Sequence, residues 1–169
     1  VDMHVHCAQL DVIASPAEGL LPWLERFTFP REARFADPAH AAEVAEAFLD
    51  ELQRHGVTTA MAWCTSHAGS ADALLDASSR RGLRMIAGKC LMDRNAPAEL
   101  RDDTERGVAE TDALIRRWHG RGRLGVAITP RFAPACSERQ LRGAAELARA
   151  HPDVWVQTHV AENRDEVAW

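Results

Sequence analysis

The stretch "RLGVAITPRF" (Arg123 to Phe132) decides the fold class. It is apolar at every position from Leu124 to Ile128, with no polar alternation. A strand with one wet face alternates; a strand that is apolar throughout is buried on both faces, as in a parallel sheet covered by helices. Working outward, the same character returns three times. "VTTAMAWC" (57–64) follows Gly56, "RMIAGKCLM" (84–92) follows Gly82, and "DVWVQTHVAE" (153–162) follows Pro152. With "VDMHVH" (1–6) these make five candidate strands.

Amphipathic segments with readable ends fill the gaps. "DPAHAAEVAEAFLDELQRHG" has Asp37 as N-cap, Pro38 in the first turn and Gly56 past the end, with Val44, Phe48, Leu49 and Leu52 as its apolar stripe. "SADALLDASSRRG" runs from Ser70 to Gly82, and "DDTERGVAETDALIRRWHG" carries Thr111, Leu114, Ile115 and Trp118 on one side. "SERQLRGAAELARAHP" opens with a Ser137/Gln140 capping box, and "NRDEVAW" repeats the box with Asn163 and Glu166. The order βαβαβαβαβα predicts a parallel sheet with helices outside. Ala14 to Ala36, rich in aromatics and prolines, breaks the rhythm and reads as a lid or binding loop.

Composition narrows the function classes. The chain has 169 residues, 46% of them apolar, and a formal net charge of −5, which argues against a nucleic-acid surface. No apolar run reaches a membrane span, and no basic-then-apolar leader opens the chain, so a cytoplasmic protein without membrane contacts is expected. Cys7, Cys64, Cys90 and Cys136 are scattered without a C-x-x-C pair, which predicts free thiols.

Chemistry concentrates at strand ends. His4 and His6 are two residues apart on a strand and so share a face. Two imidazoles side by side suit a divalent metal. His159 falls near the end of the fifth candidate strand, and Glu162 follows three residues later. Active sites of parallel α/β folds gather at the C-terminal ends of strands. Each histidine alone also fits a structural role; together with the carboxylate they suggest a metal that activates water and a group that carries its proton. Arg131 offers planar donors to a carbonyl and Phe132 an apolar wall to a ring, although an ion pair and a core aromatic fit them equally. His40, His55, His67, His119 and His151 lie on or beside helices and are assigned no role.

"VDMHVH", "GLLPWLERFTFPREARF", "GKCLMDRNAP", "ITPRFAP" and "VQTHVAEN" together resemble the guanine deaminases of the metal-dependent amidohydrolase superfamily. The resemblance runs through nearly the whole chain. It implies zinc, or alternatively iron, held by His4, His6 and His159. It further implies Gln9 on the purine edge, Arg131 and Phe132 holding the base, and Glu162 as a proton shuttle that also touches substrate. Asp93 to Pro97 would shape the rim without a catalytic role. Cys7 and Ala8 replace the family's usual aromatic and proline, and Cys7 could compete for the metal.

The implied fold is an α/β, TIM-type (β/α)8 barrel, here truncated after strand five. Residues 1–169 would be a partial barrel domain, with strands six to eight and a flanking β-domain absent. The later histidine and aspartate of the family's site would then lie outside the chain. The implied activity is hydrolysis of guanine to xanthine and ammonia by a homodimeric parent. Another aminohydrolase, acting on an adenosine-type or triazine ring, and an inactive metal-binding fragment are the alternatives.

Overall fold

The computed structural model describes residues 1–169 and carries the alternation from β1 (Asp2–His6) to β6 (Trp155–Val156). Every strand pairing is parallel. β1 lies beside β2 (Thr59–Trp63), β2 beside β3 (Arg84–Gly88), and β3 beside β5 (Leu124–Pro130). β6 closes on β5 at Ala127 and Ile128. β5 is buried at all of its 7 residues, as its unbroken apolar run requires.

Two strand expectations need correction. The run 84–92 is interrupted at Lys89, and β4 (Cys90–Leu91) resumes against β5 in the register that β3 began: Met85 opposes Leu124, and Cys90 opposes Thr129. The run 153–162 is a strand only at Trp155 and Val156; both are exposed and β5 is the strand they pair with. His159 therefore stands beyond the strand, tied back by its backbone N–H to the Arg131 carbonyl at 3.0 Å.

The helices follow their caps. In α3 (Pro38–Arg54) the Asp37 carboxylate accepts from the Ala39 N–H, and Phe48, Leu49 and Leu52 are buried with Ala41 and Ala45. α4 (Ala68–Arg81) starts two residues earlier than its sequence signal and ends on Gly82 at φ 66°, the left-handed C-cap that glycine takes without strain. α5 (Thr104–Trp118) is capped by Asp103 and buries Thr111, Leu114, Ile115 and Trp118. α6 (Glu138–Ala150) is capped by Ser137, but its box is half-made: the buried Gln140 amide finds no partner. In α7 (Arg164–Ala168) the Asn163 cap forms, and Glu166 reaches past it to the N–H groups of Ala161 and Glu162.

Residues 14–36 are not an irregular loop. After turns and bends at 14–19, they fold into α1 (Leu20–Trp23), a π-turn over Leu24–Thr28, α2 (Phe29–Ala33) and a 3-10 turn at Arg34–Ala36. Of the three prolines in 14–36, Pro22 and Pro30 lie within these pieces, where neither can donate a helical hydrogen bond.

One layer of core lies between sheet and helices, with Ala60, Ala62, Met85, Ala87, Val126 and Ile128 against Leu49, Leu74, Leu75, Leu114 and Ile115. A second cluster, on Trp63, Cys90, Met92, Leu100, Phe132 and Ala135, underlies the strand ends. Lys89 is fully buried and bonds Asp102 at 2.7 Å and Glu110 at 3.2 Å. The four cysteines are free and buried. No helix is long and apolar enough to cross a membrane.

Candidate active site

β1 brings His4 and His6 to the sheet's C-terminal end, and the segment after β6 returns His159 to meet them. Their Nε2 atoms form a triangle of 3.3 Å (His4–His6), 3.1 Å (His6–His159) and 3.2 Å (His4–His159). Metal–nitrogen bonds of about 2.0–2.1 Å in a tetrahedral shell set ligand nitrogens about 3.3 Å apart, so the triangle matches one small cation. Tautomer supports the same assignment. The Nδ1 of His159 lies 2.7 Å from the Arg131 carbonyl oxygen, which can only accept. Nδ1 therefore carries the proton, and the Nε2 lone pair faces the other two rings. Burial, then the charges of Arg131, His159 and His4, pushes the His6 pKa down to about 2. Burial lowers that of His159 as well. Neutral imidazole is the form that ligates.

Trp63, at the end of β2, lies under this triangle. Its ring stacks on His6 at 5.6 Å and 10° and lies 4.2 Å from that of His159. The indole N–H has no partner.

A cleft of about 580 Å³, including its open mouth, adjoins the histidines, a size that suits a single small ring system. His6, Gln9, Arg131, Phe132, His159 and Glu162 line it, so the residues singled out by sequence share one site, with His4 completing the triangle behind. Leu20, Leu21, Trp23 and Leu24 supply an apolar wall. The segment expected to act as a lid thus does line the pocket, as helical turns.

Arg131 is 4% exposed and its guanidinium forks onto Glu32, itself 2% exposed. Nη1 donates to Oε2 at 2.7 Å and Nη2 to Oε1 at 3.1 Å. Burial works against the Arg131 charge, but the Glu32 carboxylate overrides it and raises the pKa further above its ordinary value. The Gln9 amide nitrogen lies 3.4 Å from Glu32 Oε1 and 3.1 Å from His6 Nδ1. Glu162 is exposed at the mouth. Its turn, with Ala161 at φ 55°, is pinned by the Glu166 carboxylate through bonds of 3.1 and 2.9 Å.

Asp93 accepts from Thr104 Oγ1 and from both the N–H and hydroxyl of Ser137. Burial opposes its charge, yet these bonds hold its carboxyl below the usual range. Asn95 donates to the Pro134 carbonyl at 2.7 Å. The Asp93–Pro97 segment is thus a brace between strand exits. Cys7 is not a competing ligand: it is 2% exposed in the main core, and burial pushes its thiol up to about 12. Of the histidines assigned no role, His151 pairs with Asp112 at 2.7 Å and His119 accepts from the Val126 N–H. His67 sits at the α4 N-cap, 3.3 Å from the Thr65 hydroxyl.

Two residues at the site escaped sequence reasoning. Trp63 was legible in principle, as the last residue of a strand. Glu32 was not, because its partner is 99 positions away.

Comparisons with known proteins bear on the family and the fold. The model of the amidohydrolase family matches residues 1–169. A guanine deaminase of Escherichia coli strain K12 is 47% identical over 169 residues, covering 100% of this chain and 38% of the relative. The solved E. coli guanine deaminase superposes with a TM-score of 0.97 over 99% of this chain and 39% of its own. A guanine deaminase from C. acetobutylicum, solved with guanine bound in its active site, is 30% identical, with a TM-score of 0.94 over 99% of this chain and 40% of its own. The chain therefore spans about two fifths of the proteins it matches, and its sheet is part of a barrel.

Proposed function

The chain belongs to the amidohydrolase family, and we propose that it carries the metal and ring-binding part of a guanine deaminase, which hydrolyses guanine to xanthine and ammonia. The observation that supports this most is the meeting of His4, His6 and His159 within one ligand radius, beside a cleft lined by Gln9, Arg131, Phe132 and Glu162. The 47% identity to a guanine deaminase across the whole chain supports the choice of ring.

His4, His6 and His159 would hold one zinc ion, and an all-imidazole set also suits iron. When bound, the ion supplies Lewis acidity and brings the pKa of coordinated water toward neutrality. The remaining work belongs to the chain's own side chains. Arg131 donates to the ring carbonyl oxygen, and Phe132 packs against the ring. Gln9 meets the ring edge with its amide. Glu162 takes the proton of the attacking water and passes it to the ring nitrogen beside the attacked carbon. It then serves the amino group, which leaves as ammonia.

In this reading residues 1–169 are the first five β/α units of the barrel in a longer protein. Strands six to eight would complete the barrel and the site, with a flanking β-domain outside it. Resemblance to the family supports a homodimer. The four buried free thiols support a cytoplasmic location for purine catabolism. The test is a substrate panel on the intact protein, with guanine, adenosine-type purines, pterins and triazines assayed for ammonia release. Preference for guanine is expected; preference for a triazine or an adenosine-type ring would assign the alternative aminohydrolase reading.

A further inference from the structure

Glu32 belongs to no expected role and lies behind the cleft lining, yet it touches two residues that line the cleft, Arg131 and Gln9. It is buried, grips both terminal nitrogens of Arg131, and lies within 3.4 Å of the Gln9 amide. Each terminal nitrogen gives Glu32 one N–H in a planar fork, so the guanidinium cannot swing. Nη1 spends its other N–H toward the Met92 sulfur at 3.8 Å, and the buried Cys90 thiol also lies against the guanidinium. The Phe29 ring closes one face of the guanidinium, 5.2 Å from its carbon. Arg131 is therefore presented as a fixed donor with its charge already matched.

That matching has a chemical consequence. A lone buried guanidinium attracts anions; a guanidinium neutralised by a buried carboxylate offers hydrogen bonds without net charge. We propose that Glu32 is a positioning and selectivity residue: it locks Arg131 and the Gln9 amide and cancels the Arg131 charge, so that the pocket accepts a neutral ring carbonyl and rejects anionic rings. The inference rests on reading the cleft as a purine site. Glu162 and Glu166 at the mouth, and any bound cation, act equally on every Glu32 variant and drop out of a comparison between them.

The test compares the intact, metal-loaded protein with its Glu32→Gln variant, by calorimetric binding of two rings at one neutral pH. Hypoxanthine is a neutral carbonyl purine, and urate is an anionic one. Loss of the carboxylate should tighten urate at least tenfold relative to hypoxanthine and raise the KM for guanine severalfold. An unchanged urate-to-hypoxanthine ratio overturns the proposal, and so does failure of both rings to bind the unmodified protein. Glu32→Asp covers the case in which Glu32→Gln does not fold. It keeps the charge on a shorter arm, so the ratio should stay within threefold while the KM for guanine rises; urate tightening in that variant overturns the proposal. Binding needs no turnover. A protein that binds these rings as expected but does not hydrolyse guanine would remove the functional reading and leave the selectivity result standing.

Discussion

Arg131 shows what one side chain carries in this site. It holds Glu32 through its fork and His159 through its backbone carbonyl. Arg131→Ala in the intact protein should weaken guanine binding by about 1.5–3 kcal/mol, roughly ten- to a hundred-fold. It should also destabilise the fold by about 3–5 kcal/mol, because the Glu32 carboxylate is left buried without its partner. Metal content should be unchanged, since the bond to His159 comes from the backbone; metal analysis with steady-state kinetics checks both statements. Glu162 makes the complementary case. Glu162→Gln keeps the shape but not the proton, so turnover should fall by about 10²–10⁴ with the metal retained. Near-normal turnover would leave Glu162 only as a carboxylate before α7. The three histidines, Arg131, Phe132 and Glu162 were legible because each sits at a strand end or just beyond one, whereas Gln9 came from the family resemblance alone. Glu32 was illegible because an acidic residue in a short helical segment reads as a solvated charge, and only the fold brings it to Arg131.

At the scale of elements, close approach decides what the strands tolerate. A Cβ built on Gly88 would lie 2.1 Å from the Ala127 carbonyl oxygen, in the strand beside it. Gly88→Ala must push β3 and β5 apart and should cost about 2–4 kcal/mol in chemical denaturation of the intact protein. Gly107 has the same logic on α5, where a Cβ would meet the Asp102 carboxylate at 2.2 Å. That glycine lets α5 seat beside the buried Lys89–Asp102 pair. Lys89→Met strands Asp102, whose pKa burial already raises, and should cost about 3–5 kcal/mol; adding Asp102→Asn should recover part of the loss. Most element types were readable, because caps and apolar runs are local signals. The exceptions have physical reasons. Lys89 hides inside an apolar run because its charge is matched from α5 and the loop before it. β6 keeps only two residues, both exposed, and pairs with β5 alone. Residues 14–36 carry no long period, so their short helical turns left no trace in the pattern.

Across the whole molecule, the sheet has two open sides. Val1, just before β1, and Met3 on it are 79% and 67% exposed, and Trp155 and Val156 on β6 are 56% and 54% exposed. Apolar edge strands pair when a partner is offered, and in a closed barrel further strands would cover them. In the intact protein, hydrogen exchange at β6 should accordingly be as slow as at β3. The larger claim is that distant segments, meeting at one end of this sheet, make a metal-dependent site for guanine. Stripping the intact protein with a chelator and restoring it with zinc, while following xanthine formation from guanine, tests that claim directly. Turnover should disappear with the metal and return as one ion per chain is restored. Undiminished turnover in the metal-free protein would contradict it.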